Sequence, residues 1–230
     1  MTVLKKILRY VLYIFIALFI AALILPYIFK DKLIINTSEL GILREDTNLY
    51  TDLKIVKVSE AKSIKSNYSM LQGKRKDICY TANQYTVLLR NKEGKLIEII
   101  FQLSKYGIAL RYHFPDKSKD IKKITEEKTT YNFDVTTKAW LQPLSKAKTG
   151  WCQVNPSYEE HYAMGIPVNK QPEIGQGWVY PTLFQSNDTW LLISESGLNE
   201  NYCGSHLVYN ETSKAMQVTF PQKEENFPNG

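Results

Sequence analysis

Tyr85-Thr86-Val87-Leu88-Leu89-Arg90-Asn91-Lys92-Glu93-Gly94-Lys95-Leu96-Ile97-Glu98-Ile99-Ile100-Phe101-Gln102-Leu103 is the stretch whose reading decides the fold class. Tyr85 to Leu89 is β-branched, aromatic and apolar, the composition that fits a pleated, half-buried surface. Asn91 to Lys95 is a short polar connection containing a glycine. Leu96 to Leu103 has the same character as the first run. Two such runs joined by a short glycine-containing turn predict an antiparallel hairpin.

The same grammar recurs on both sides. Gly107 to Pro115 reads as a further strand ended by proline. Leu53 to Val58 alternates, then gives way to Ser59–Lys76, a polar stretch read as mobile. Downstream, Lys128 to Phe133 reads as a strand, and Trp178 to Phe184 with Trp190 to Ile193 reads as a hairpin about Ser186-Asn187-Asp188. Leu207 to Tyr209 and Met216 to Phe220 close the set. No stretch after Phe29 sustains the 3.6-residue period of a helix. Short strands with a turn signal every ten residues or so predict an all-β sandwich over residues 33–220. The polar remainder, 221–230, reads as a linker.

The N-terminus follows a different rule. Tyr10 to Phe29 is twenty residues without a charge. As a helix it would extend roughly 30 Å, the thickness of a bilayer's hydrocarbon core. Lys5, Lys6 and Arg9 precede it, which predicts a cytoplasmic tip and an exported body. Residues 1–32 are therefore expected to form a transmembrane or signal-anchor helix, with the body periplasmic or otherwise extracytoplasmic in a bacterium. The rival is a cleaved signal peptide and a secreted body. Five bases (Lys5, Lys6, Arg9, Lys30, Lys32) and one acid (Asp31) lie in or beside this segment. Removing them from totals of 29 and 23 leaves 24 and 22, a net of +2 for the body. The basic balance of the whole chain thus belongs to the membrane flank, and nucleic acid is not an expected partner.

Chemistry-bearing motifs are few. There is no G-x-S-x-G, P-loop or H-E-x-x-H sequence. Cys79, Cys152 and Cys203 match no zinc spacing, and their pairing stays open between one disulfide and three small buried side chains. Sequons at Asn36, Asn67, Asn187 and Asn210 would matter only in a eukaryotic secretory pathway. His113 reads as a satisfied sheet residue, and His161 and His206 stand apart from it. Glu126 and Glu127, adjacent on a strand, point to opposite faces and cannot flank one glycosidic bond. Each of Trp140, Trp151, Trp178 and Trp190 is expected in a core. The remaining feature is Trp190-Leu191-Leu192-Ile193-Ser194-Glu195-Ser196-Gly197-Leu198-Asn199, running on to Tyr202. It reads as a buried strand that delivers one carboxylate, Glu195, to a polar turn.

Several segments, taken in order, resemble the N-terminal domain of glycoside hydrolase family 97. They are Ser38-Glu39-Leu40-Gly41-Ile42, Tyr106 to Pro115, Thr125 to Tyr131, Trp140, Tyr158 to Tyr162, Tyr180 to Phe184 and Ile193-Ser194-Glu195-Ser196-Gly197-Leu198. The resemblance implies a β-super-sandwich of the galactose mutarotase-like type. It implies membership of exo-acting α-glucosidases and α-galactosidases that use calcium, with catalytic carboxylates on a following (β/α)₈ barrel. A barrel takes about 250 residues, so this chain is expected to be non-catalytic alone and to need a barrel as partner. The family's opening Ser-Pro-Asp-Gly hairpin has no counterpart here, which leaves one sheet edge open.

Glu195 matches the position at which the family's N-terminal domain lends a carboxylate to the calcium site. No catalytic residue carries over. A membrane-anchored module binding α-linked oligosaccharide or a protein is the alternative, and it would need an exposed aromatic platform, with Trp140, Trp151, Trp178 or Trp190 as candidates. An aldose-epimerase-like enzyme is the third reading, and it would need a convergent His–Glu pair.

Overall fold

The computed structural model describes residues 33–144, 160–174 and 176–221. Among these there is no helix, and none long and apolar enough to cross a membrane. The expected helix Tyr10–Phe29, Trp151, Cys152 and nearly all of the expected linker lie outside the described residues.

Fifteen strands are present among the described residues. In chain order they are β1 Ile42–Arg44, β2 Thr47–Leu49, β3 Lys54–Val58, β4 Lys62–Ser69, β5 Asp77–Arg90, β6 Leu96–Ser104, β7 Gly107–His113 and β8 Ile124–Glu127. There follow β9 Thr130–Tyr131, β10 Lys138–Pro143, β11 Ala163–Pro167, β12 Trp178–Ser186, β13 Thr189–Ile193, β14 His206–Asn210 and β15 Ala215–Thr219. All pairings are antiparallel and no sheet closes. The chain forms two compact units, Leu40–Thr129 on one hand and residues up to Glu39 with those from Thr130 onward on the other.

The Leu40–Thr129 unit holds two sheets, β2-β1-β8 and β3-β5-β6-β7, the latter with β4 beside β5. The decisive hairpin forms as read, with Val87 opposite Ile99 and Leu89 opposite Ile97. Alternation sends Val87, Leu89, Ile97, Ile99 and Phe101 to one face, where they meet Ile42, Leu49 and Tyr112. The connection is held by Asn91. Its Oδ1 accepts from the N–H of Glu93 (3.1 Å) and of Lys95 (2.8 Å), and its Nδ2 donates to Thr47 Oγ1 (2.8 Å) and Asn48 O (2.9 Å). A buried amide satisfied at both ends fixes the hairpin turn to β2.

Three of the family-like segments meet in this unit. The N–H of Gly41 donates to the Tyr112 hydroxyl (2.9 Å), which is also 2.7 Å from Thr129 Oγ1. A Cβ at position 41 would lie 2.8 Å from Tyr50 Cα, so only glycine fits there.

The segment 59–76 departs from expectation. Lys62 to Ser69 forms a full strand paired residue for residue with Asp77–Gln84. Its alternation escaped a hydrophobicity reading because serines and lysines occupy five of its eight positions and nearly all of it is exposed. The burial of β3 also differs: all five residues are exposed.

The second unit is built on the seven-stranded sheet β11-β10-β12-β14-β15-β9, with β13 paired to β12. Its core gathers Phe133, Ala139, Leu141, Trp178, Phe184, Ile193, Leu207, Tyr209, Met216 and Val218. Beyond β9 the segment 36–39 covers the edge: the N–H of Asn36 donates to Asn132 O (2.7 Å), the N–H of Thr130 to Glu39 O (3.0 Å) and the N–H of Asn132 to Ser38 Oγ (3.0 Å).

The Asp46 carboxylate accepts from Arg44 (Nε 2.8 Å, Nη2 2.9 Å) and lies 3.2 Å from Lys122 Nζ. The Arg44 guanidinium, and after it Lys122, hold this carboxyl well below the usual range. Thr136, through its hydroxyl and its N–H, lowers Asp134 in the same way. A carboxyl whose folded pKa is depressed stabilises the fold above its unfolded value and loses that contribution as pH falls through the folded one. The urea midpoint is therefore expected to drop below about pH 4. Asp46→Asn should flatten part of that drop, as read by urea titration at a series of pH values.

Candidate metal-ligating loop

Glu195 is the second residue of the loop 194–205 that follows β13. The β13–β12 register, Ile193 opposite Thr182 and Trp190 opposite Gln185, fixes where the loop begins. Its return is shaped by Asn199, whose Oδ1 accepts from the N–H of Asn201 (2.9 Å) and whose carbonyl accepts from the N–H of Tyr202 (3.0 Å). Gly197 supplies a left-handed residue, φ 74°.

The carboxylate is clasped by Ser205 at the other end of the loop. The Ser205 N–H donates to both Oε1 (3.1 Å) and Oε2 (3.2 Å), and its hydroxyl donates to Oε2 (2.8 Å). These charge-assisted bonds close the loop and set the direction of the partly exposed carboxylate. Ser205 escaped the sequence reading because a clasp spanning ten residues leaves no local signal.

Glu195 stands alone as a metal donor. No group of three or more His, Cys, Asp or Glu side chains able to hold a metal ion occurs among the described residues. Calcium takes six to eight oxygen ligands, roughly, at 2.3–2.6 Å. One carboxylate, two of whose lone pairs already face Ser205, does not form such a site.

The other residues singled out fall elsewhere. His113 Nδ1 is 2.8 Å from Glu98 Oε2 on the neighbouring strand, the satisfied sheet position expected. Glu126 pairs with Lys128 and Glu127 accepts from Thr129 Oγ1, so the two carboxylates engage different partners. His206 is buried and His161 exposed. Cys79 is an exposed free thiol on β5.

Of the tryptophans, Trp178 is buried in the core. Trp190 is 51% exposed and packs against Trp140, ring centroids 4.6 Å apart and tilted by 47°. This corrects the expectation of a core Trp190 and of a β13 buried on both faces. Leu191 and Ile193 turn inward while Trp190 and Leu192 turn outward.

The described residues thus form open antiparallel sheets, with one clasped carboxylate, Glu195, in the loop after β13. Residues 24–228 match the family described as Glycosyl-hydrolase 97 N-terminal, and the chain belongs to that family. Solved structures agree. A beta-arabinopyranosidase is similar at 33% identity and a TM-score of 0.80, over 86% of this chain and 32% of that one. A glycoside hydrolase family 97 enzyme from Pseudoalteromonas sp. strain K8, in complex with panose, is 23% identical with a TM-score of 0.68, over 84% of this chain and 28% of that one. The acarbose complex from the same strain gives 22%, 0.66, 84% and 28%. This chain thus spans about a third of the length of the structures it matches. No curated protein matches it.

Proposed function

We propose that this chain is the non-catalytic N-terminal β-super-sandwich of a family 97 glycosidase, working with a catalytic (β/α)₈ barrel in cis or from a neighbouring product. Glu195 lends one oxygen donor to a calcium site whose other ligands belong to the barrel. The observation that supports this is the family match over residues 24–228, together with the single oriented carboxylate of Glu195 in the segment that resembles the family's motif. In this reading Tyr10–Phe29 anchors the body to the membrane, or is removed as a signal, and the body is exported. The substrate classes to test are α-glucosides and α-galactosides from the family resemblance. The name of the 33% identical relative adds β-arabinopyranosides.

A second reading, a carbohydrate- or protein-binding module, is favoured by the exposed Trp190 packed on the partly buried Trp140. Such a pair could stack on a sugar or on a partner.

A chimaera tests the first reading. Residues 33–221 replace the N-terminal third of the beta-arabinopyranosidase, and hydrolysis of the corresponding aryl glycoside is followed. The expected result is an active chimaera whose kcat/KM falls by at least about tenfold in Glu195→Gln, since losing a direct ligand costs no less than losing a hydrogen-bond partner of one. The isolated chain should show no turnover. Turnover by the isolated chain, or a chimaera indifferent to Glu195, would contradict the proposal.

A further inference from the structure

The β4–β5 hairpin continues past the sheet that carries it. Pairing of β5 with β6 ends at Asn83 opposite Leu103, so Asp77 to Ala82 have only β4 as a strand neighbour among the described residues. Register makes this ribbon amphipathic. Ile64, Tyr68, Ile78, Tyr80 and Ala82 share one face, and Ser63, Lys65, Asn67, Cys79 and Thr81 the other. A two-stranded ribbon is marginal in water without something against its apolar side.

The chemistry of its end indicates what that is. The turn Met70–Lys76 is closed by a bond from the N–H of Met70 to the carbonyl of Lys76 (2.7 Å). Leu71 at its crest is fully exposed, and Tyr68 and Met70 are about half exposed. Lys74, Arg75 and Lys76 follow directly. The β6–β7 turn, on the same sheet, adds a further cation. Lys105 Nζ lies 4.7 Å from the ring centroid of Tyr106, which is 72% exposed. The Tyr106 hydroxyl is drawn below its ordinary value by Lys105 and, after it, by Arg75. Lys74 and Lys76 flank Arg75 in the chain, and the acid that follows them, Asp77, already has its carboxylate taken up by the Ser69 hydroxyl (2.7 Å).

Exposed aliphatics at a crest, a collar of Lys and Arg, and tyrosines at the level between them suit a bilayer interface. The apolar tip reaches the acyl boundary, the cations meet anionic headgroups and the amphipathic tyrosines sit at headgroup depth. A docking site for a folded acidic protein would not call for a crest leucine standing clear of every neighbour.

We propose that the paired turns Tyr68–Lys76 and Lys105–Tyr106 form a docking surface for an anionic lipid bilayer, with Met70 and Leu71 entering the acyl boundary and Lys74, Arg75, Lys76 and Lys105 on the headgroups. This depends neither on the carbohydrate reading nor on the N-terminal segment. It would hold the Leu40–Thr129 unit against the membrane in a fixed orientation.

Trypsin reads the surface directly, because it cuts after Lys74, Arg75 and Lys76. The full chain is mixed with preformed vesicles of phosphatidylcholine alone or with about a third phosphatidylglycerol, and cleavage in this turn is timed. Cleavage should be slower by about tenfold on the anionic vesicles, and about 0.5 M salt should remove most of the difference. Leu71→Asp and Lys105→Glu leave the cut sites in place and should each cost most of the protection. Their unchanged thermal midpoints would show that the fold persists. Equal cleavage on both vesicles would overturn the proposal. So would protection lost in Lys105→Glu but kept in Leu71→Asp, which would mark polyanion binding without insertion.

Discussion

Phe184→Ala is expected to lower stability by about 3–5 kcal/mol, the range for emptying a buried aromatic site. Phe184 lies on β12, whose neighbours include β10, β13 and β14, and its side chain is fully buried. It stacks on Phe133 at 4.4 Å between ring centroids, with an interplanar angle of 23°. Truncation would leave a cavity against Leu141, Leu207 and Met216, all fully buried themselves. Backbone pairing on both sides of β12 restrains collapse into the gap, which is what pushes a cavity's cost upward. All four tryptophans lie between Trp140 and Trp190, so their fluorescence in a urea titration reports this unit. A shift under about 1 kcal/mol would show that this is not the packed centre of the unit.

Gly177→Ala should cost about 3 kcal/mol by a different route. A Cβ there would stand 2.6 Å from the Leu207 carbonyl oxygen, 2.7 Å from His206 Cδ2 and 2.9 Å from Val208 Cγ2. The carbonyl belongs to β14 at the residue where β12 and β14 pair, Trp178 opposite Leu207, so it cannot step aside without opening the sheet. The backbone at Gly177 also has φ 140°, a conformation that L side chains rarely adopt. Overpacking and backbone strain of this kind each cost about 1–3 kcal/mol. For a unit of about a hundred residues that is a fall of roughly 12–24 °C in Tm. Gly197 provides the internal comparison. It too has positive φ, 74°, but nothing lies within 4 Å of its added Cβ. Gly197→Ala should therefore cost only the conformational part, about 1–2 kcal/mol. Equal effects at the two glycines would place the cost in the backbone and not in the contact with β14.

What the sequence made legible depended on how much of a strand is buried on one side. The β5–β6 hairpin could be read because Val87, Leu89, Ile97 and Ile99 alternate with less buried neighbours over a long run, and its turn is held by one asparagine. The β12–β13 hairpin could be read for the same reason, with Asn187 supplying the left-handed residue of its turn (φ 53°). The strands that escaped are those whose signal is too short or interrupted. β1 and β2 have three residues each. β11 contains Gly165 and Pro167, and β10 ends on Pro143. β4 hides its period among serines and lysines.

An unbroken apolar run such as Trp190 to Ile193 tells that a strand exists but not which residues face out. Trp190 was misplaced for that reason, and the outward face with Trp140 follows only from pairing with β12. The candidate site was legible in one residue and not in its support. Glu195 stands out because the run ends there. Ser205, which holds it, is found only once the loop is closed.

The central claim is that Glu195 is one ligand of a calcium site completed by another domain. Isothermal titration of calcium into the isolated chain and into the chimaera with the beta-arabinopyranosidase remainder tests it most directly. The account predicts no measurable binding to the isolated chain, because one clasped carboxylate falls far short of six oxygens. It predicts binding to the chimaera that Glu195→Gln weakens by about tenfold or more. Micromolar, Glu195-dependent calcium binding by the isolated chain would contradict it.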